Sequence, residues 1–221
     1  MRVFKPQSPF LSGFTASERE ALLAATTRRR FKPAAVITRH GEPATKMFLI
    51  AKGRARYFVT TPDGHKVILL WLAPGDLFGA AALLRVPSTY RASTEALRET
   101  EVLVWDRDAI RTLAERYPRV LENAMLLASS YVDWNLASHI ALSSQTARQR
   151  LAGVLASLVP LLGHRLPQGI ELEITNEELA SAAHVSVFTT SRLLNEWQRQ
   201  RALTKHRGKI VLLTPRRLFN H

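Results

Sequence analysis

Between Thr175 and Trp197 the chain reads TNEELASAAHVSVFTTSRLLNEW. The stretch has no cysteine, no aspartate and one histidine, His184. Such a set is poor in catalytic chemistry, but its hydroxyls, amides and single arginine can bind. Arg192 carries a planar fork that matches O6 and N7 of guanine. Ser186, Val187, Phe188 and Ser191 belong with it on the exposed, N-terminal side of one helix. Val187 and Phe188 are unusual there: they could touch thymine methyls, or Phe188 could pack on a neighbour. Thr189, Asn195 and Arg199, with Lys205, Arg207 and Lys209 downstream, suit phosphate oxygens.

Those side chains act together only if the backbone presents them. Thr175 stands three residues before Glu178, a capping box, so a helix should start at Asn176. Leu179, Ala180 and Ala183 form its buried side, and Ala180 is small where a second helix must pass closely. His184 breaks the helix; the turn usually carries Gly, but His tolerates the left-handed region better than most residues. Val185 plugs the gap and Ser186 caps a second helix running to about Gln200. Thr190, Leu193, Leu194 and Trp197 face inward. This is helix-turn-helix spacing. Two short strands then flank Arg207-Gly208, a β-hairpin wing with a basic tip. The alternative is an ordinary helical hairpin packed on a β-ribbon.

The chain has 221 residues, 46% of them hydrophobic, enough for one large or two small domains with real cores. No apolar run approaches the roughly 18–20 residues of a membrane span, and no long apolar segment follows Met1. The absence of cysteine excludes disulfides, thiolate zinc sites, Cys-ligated iron–sulfur clusters and thiol sensing. It agrees with a cytoplasmic location. The formal net charge of +13 favours polyanionic partners. From residue 143 onward, 11 basic and 5 acidic residues leave +6, and +7 lies before them, so charge alone does not locate a binding face.

Residues 31–105 carry turn glycines at 41, 53, 64 and 75. Between and beyond them lie β-rich runs at Met47–Ile50, Arg54–Thr60, Lys66–Leu72 and Val102–Trp105. Pro62-Asp63-Gly64-His65 is a hairpin signal. Regular short strands argue a small barrel or jelly roll. From Asp106 the period changes. RDAIRTLAER (107–116) reads as a short helix, and Pro118 opens a long one reaching about Leu142. Val120, Ala124, Leu127, Tyr131, Trp134, Ser138 and Ala141 recur at four and three on it, and Met125, Val132, Leu136 and Ile140 add a second apolar flank. One flank can lie on the barrel. The other wants a second chain, and a symmetric helix pair is the simplest solution; burial wholly within one domain is the alternative. Ser143 or Ser144 should cap the next helix, from about Gln145 to Leu162, ended by Gly163 and Pro167. A strand at Glu171–Ile174 follows.

The fold class is therefore α+β: an N-terminal jelly-roll barrel with flanking helices (1–117), a dimerisation helix (118–142) and a winged helix-turn-helix (143–221). In this order and spacing the chain resembles the cyclic-AMP receptor protein/FNR family of bacterial transcription regulators over roughly residues 10–215. RHGEPATKMFLIAKGRARYF is similar to the family's early strands, APGDLFG to its glycine-rich turn, and TARQRLAGVLASL to its first DNA-domain helix. The resemblance implies a homodimer on a pseudo-palindromic duplex site, a ligand-sensing barrel, long helices that pass the signal, and contact with RNA polymerase; the domain order suggests that the signal passes through a change of helix register or hinge angle near Leu142–Ser144.

It also implies a site. Members that bind cyclic nucleotides carry Gly-Glu after the glycine-rich turn, for the ribose hydroxyl, and a later Arg-Ser for the cyclic phosphate. Here the first pair is Gly79-Ala80, without the carboxylate. The second region is Tyr90-Arg91-Ala92-Ser93: ungapped, Tyr90 takes the arginine position, and a one-residue adjustment restores Arg91. Asn135 matches the position that reaches the base. Arg91 could also be a solvated charge and Asn135 a polar notch in a dimer seam. The pattern argues against cyclic AMP and for another small effector or none. An iron–sulfur cluster lacks ligands. Haem would need His40, His65 or His139, which sit at turns or on the long helix as surface residues do. A cupin-like enzyme would need clustered metal ligands, and His40 and His65 form no H-x-H pair. A protein-binding adaptor that has lost DNA contact is the third reading.

Overall fold

Met47 to Ala51 and Val102 to Trp105 are buried without exception. Side chains alternate across a strand, so an unbroken buried run must be covered on both faces. The computed structural model, which describes residues 8–64, 66–214 and 218, shows how. His65 and the side chain of Trp134 lie outside the described residues.

Among the described residues the strands are β1 (Thr27–Phe31), β2 (Val36–Thr38), β3 (Lys46–Lys52), β4 (Ala55–Thr60), β5 (Lys66–Leu72), β6 (Leu77–Phe78), β7 (Ser93–Ala96), β8 (Thr100–Asp106), β9 (His164–Leu166), β10 (Gly169–Glu173), β11 (Leu203–His206) and β12 (Lys209–Leu212). The helices are α1 (Ala16–Ala24), α2 (Arg107–Arg116), α3 (Arg119–Ser144), α4 (Ala147–Leu162), α5 (Asn176–Ala183) and α6 (Val187–Arg199). The chain forms two compact units. One holds residues 8–59 and 69–134; the other holds 60–64, 66–68, 135–214 and 218.

The first unit is built on two four-stranded sheets, ordered β1-β8-β3-β6 and β2-β7-β4-β5. The register pairs Met47 with Trp105 and Leu49 with Leu103, and Phe48 with Val104 and Ile50 with Val102. The first set, with Ala51, joins Phe10, Leu11, Leu22, Ile110, Val120 and Ala124 under the helices. The second joins Ala55, Leu72, Phe78 and Tyr90 between the sheets. Period two thus divides one pair of strands between two cores. The indole of buried Trp105 donates to the Leu22 carbonyl at 2.7 Å, fastening α1 to the sheet. Buried Asn123 on α3 donates to the carbonyls of Phe10 (2.8 Å) and Ser12 (2.9 Å).

The expected strands are present, β3 and β8 with wider limits, β5 with the same limits and β4 one residue shorter, but β1, β2, β6 and β7 lie outside the predicted runs. β1 reads TRRRF, mostly exposed, so it has no apolar alternation to reveal it. Helix α1 was also not anticipated, although Thr15 and Glu18 form a full capping box there.

Helix α3 runs two residues past the expected end, and the expected serine cap is not formed. Ser143 and Ser144 instead donate to the carbonyls of His139 (3.1 Å) and Ile140 (2.8 Å), four residues back, inside the last turn of α3. The cap of α4 is Thr146, in a reciprocal box with Gln149. The second unit packs α4, α5 and α6 with a sheet ordered β11-β12-β10-β9. β9 was not foreseen.

Candidate nucleic-acid interface and effector cavity

Helices α5 and α6 have the limits the capping residues dictate. The Thr175 hydroxyl accepts from Glu178 N at 3.2 Å, and the Glu178 carboxylate accepts from Thr175 N at 2.9 Å. His184 ends α5 at φ 50°, ψ 51°, the left-handed cap predicted for the turn. Ser186 accepts from Thr189 N at 3.0 Å and starts α6. Thr190, Leu193, Leu194 and Trp197 are buried, as are Leu179, Ala180 and Ala183 facing them. Arg150 of α4 bridges the turn, donating to the carbonyls of Ala183 (3.0 Å) and His184 (3.3 Å) that α5 leaves without helical partners. Arg148 pairs with Glu196 at 2.6 Å and lies 5.3 Å from the Trp197 ring centroid. The angle between the two helices is thereby held by packing and by two arginines from a third.

What the outer side of α6 offers is less uniform than the sequence implies. Arg192 is exposed and, among the described residues, makes no hydrogen bond or ion pair. Phe188 is 78% exposed, so no neighbour among the described residues covers it. Val187 beside it is also exposed. Ser186 and Thr189 hydroxyls lie 2.9 Å apart and engage each other. Ser191 is half-buried. Lys205 of β11 donates to the Asn195 side chain at 2.7 Å, which joins the wing to α6. Arg199 and the wing-tip residue Arg207 are exposed with no ion pair among the described residues. Lys209 differs: its ammonium sits 3.0 Å from Glu171 and 3.5 Å from Glu173, whose carboxylates raise its pKa and offset its charge.

In the first unit, β4–β6, the turn after β6, residues 90–91 and α3 enclose a cavity of about 160 Å³. Its walls are Leu70, Leu72, Leu77, Phe78 and Leu127, with Ala80, Ala81, Ala124 and Ala128 leaving the space and Tyr57, Tyr90, Tyr131 and Arg91 supplying polar atoms. Gly79 takes φ 75°, and a Cβ there would stand 2.8 Å from the Lys46 carbonyl oxygen. Tyr90 turns its hydroxyl to the backbone of Lys46, 3.1 Å from both its N and its O. Tyr131 donates to the Leu77 carbonyl at 2.9 Å, and burial pushes its phenol well above the usual range. Burial also raises Tyr57, with Arg91 pulling the other way. Arg91 is exposed at the rim, 3.3 Å from the Ser88 hydroxyl.

Of the predicted pocket residues, Gly79, Ala80, Tyr90 and Arg91 line this cavity and three do not. Ala92 is fully buried, Ser93 accepts from the His40 amide at 3.0 Å, and Asn135 is exposed one turn beyond Tyr131. Tyr57 and Tyr131 were not anticipated as cavity residues. The signals were there: Tyr57 is two residues from inward Ala55 on β4, and Tyr131 continues the face of Val120, Ala124 and Leu127. No group of three metal-ligating side chains occurs among the described residues, and no described helix is long and apolar enough to cross a membrane.

A double-sheet barrel, a long helix and a winged helix-turn-helix in that order are the architecture of a DNA-binding regulator. Comparison with known proteins narrows the class. A model of the cyclic nucleotide-binding domain matches residues 28–117, and one of the Crp-like helix-turn-helix domain matches residues 149–220. The cyclic AMP receptor protein of Thermus thermophilus is 33% identical over 189 residues, spanning 85% of this chain and 84% of that protein. The transcriptional activator protein anr of Pseudomonas aeruginosa is 26% identical over 83% of this chain and 75% of its own length. The solved structure of a CRP-family transcriptional regulator from Thermus thermophilus superposes with a TM-score of 0.74 at 27% identity, covering 86% of this chain and 94% of that one. The c-di-GMP-responsive regulator CLP of Xanthomonas campestris shares the fold, with a TM-score of 0.77 at 21% identity over 90% and 99%. This chain belongs to the cyclic AMP receptor protein/FNR family: it is a DNA-binding transcription regulator. A cupin-type enzyme finds no support among these relatives.

Proposed function

We propose that the chain regulates transcription as a homodimer, with two α6 helices reading half-sites of a pseudo-palindromic operator about 34 Å apart. The observation that carries this is the paired exposure of α6 and α3. On α6, Arg192 is exposed and without an ion pair among the described residues, beside exposed Val187 and Phe188, a set suited to guanine and thymine edges. On α3, Met125, Val132, Leu136 and Ile140 form an uncovered apolar stripe that a symmetric partner helix would bury. Arg199 and Arg207 contribute phosphate contacts, with Ser186, Thr189, Ser191, Asn195 and Lys205 placing α6 and the wing against the backbone. Lys209 contributes less, since Glu171 and Glu173 already balance it.

In this reading the cavity is the sensing site and α3, shared between cavity and dimer stripe, is the relay. Gln145 alone separates the end of α3 from the cap of α4. Contact with RNA polymerase belongs to the same reading. The test is a gel-shift titration against operator and random duplex at several salt concentrations, alongside sedimentation. A dimer with a steep log–log salt slope and a sequence preference supports the proposal. A protomer that stays single with and without DNA removes it.

A further inference from the structure

The cavity also specifies what it can hold. This inference rests on the sensing role just proposed. At about 10–15 Å³ per water-sized group, 160 Å³ is room for roughly ten to fifteen non-hydrogen atoms. A purine, a ribose and a cyclic phosphate together are larger. The walls are leucine, alanine and aromatic ring, so the body of a ligand is apolar. Where a ribose hydroxyl would seek a carboxylate stands Ala80.

The polar groups are few, and most are already engaged. Tyr131 is committed to the Leu77 carbonyl and Tyr90 to the backbone of Lys46. Two remain. The Tyr57 hydroxyl makes no hydrogen bond among the described residues, and burial holds the phenol protonated, so it is a donor. Arg91 is the one charged residue in the wall and makes no ion pair among the described residues. Apart from its 3.3 Å contact with Ser88, its guanidinium donors are open. Tyr57 and Arg91 line the same cavity. A half-buried hydroxyl and a cation at the rim complement one anionic oxygen pair; an apolar interior complements one compact hydrocarbon body.

We infer that the effector is a small apolar monocarboxylate, its carboxylate held by Arg91 and the Tyr57 hydroxyl and its hydrocarbon body enclosed by Leu70, Leu77, Phe78 and Leu127. Both linear and aromatic members of the class fit the volume.

The experiment is calorimetric titration of the full chain with octanoate and with 4-phenylbutyrate, each beside its neutral primary amide, and with cyclic AMP. The expected result is binding of at least one acid, tenfold or more tighter than its amide and tighter than cyclic AMP. Arg91→Ala should remove that tenfold preference; Arg91 is exposed, so the fold survives, and circular dichroism checks this. Tyr57→Phe should weaken the acid several-fold. Equal affinity for acid and amide, an acid preference that persists in Arg91→Ala, tighter binding of cyclic AMP, or no binding by either acid would each overturn the inference. Gel shifts of the same samples keep the two readings apart. Operator binding without carboxylate binding sinks this inference alone, and carboxylate binding without operator binding sinks the regulator dimer instead.

Discussion

Replacing Leu136 by Glu places a charge in the middle of the uncovered stripe on α3. Leu136 is 57% exposed in the single chain, and Met125, Val132 and Ile140 beside it are 71%, 65% and 56% exposed. Burying a whole aliphatic side chain is worth about 1.5–3 kcal/mol, so the part of Leu136 still open to solvent contributes about 1 kcal/mol on pairing. A two-fold axis uses each residue twice, so the loss is about 2 kcal/mol per dimer, a roughly 30-fold weaker dimer constant before like-charge repulsion. That repulsion and the desolvation of two carboxylates add to the effect. The fold should be spared, because the side chain faces solvent in the single chain. Sedimentation equilibrium at several loading concentrations, with far-ultraviolet dichroism to confirm helix content, measures it. A wild-type chain that is monomeric at micromolar concentration, or a variant with an unchanged dimer constant, would refute the assignment of this face.

Arg192→Ala should cost about 1–3 kcal/mol at one operator position and relax the base preference there; gel shifts on a set of single-base operator variants read this, and an equal loss on every sequence would move Arg192 to a phosphate. Arg207→Ala should lower the magnitude of the salt slope by about 1, whereas Lys209→Ala should change it far less, because Glu171 and Glu173 already hold that charge; equal slopes for the two variants would contradict the ion-pair geometry. Gly79→Ala puts a Cβ 2.8 Å from a backbone oxygen at φ 75°, and should destabilise by about 2 kcal/mol, seen as a melting temperature lower by roughly 4–8 °C.

The helix-turn-helix was legible residue by residue because its instructions are local. A capping box, a residue tolerant of the left-handed region and a hydroxyl cap each act within four residues, and the limits of α5 follow from them without knowledge of the rest of the chain. The same local logic misassigned the start of α4. Ser143, Ser144 and Thr146 are all competent caps, and the choice depends on where α3 stops. The apolar face carries α3 on to Ser144, so the serines turn inward to their own helix and Thr146, with Gln149 three residues on, takes the cap. β1 was invisible for a different reason: three consecutive arginines have no period, and only the β8 backbone, paired from Thr27 to Phe31, makes them a strand.

Read alone, the chain determined the order of its parts and the limits of the two helices about the His184 turn. Both are matters of residue type and short-range spacing. It did not decide which flank of α3 lies on the barrel, that Tyr131 belongs to the cavity while Asn135 does not, or that Lys209 is balanced and Arg207 is not. Those depend on what lies opposite each side chain across tens of residues of intervening sequence. That proximity is set when two cores close, by packing that no local signal encodes.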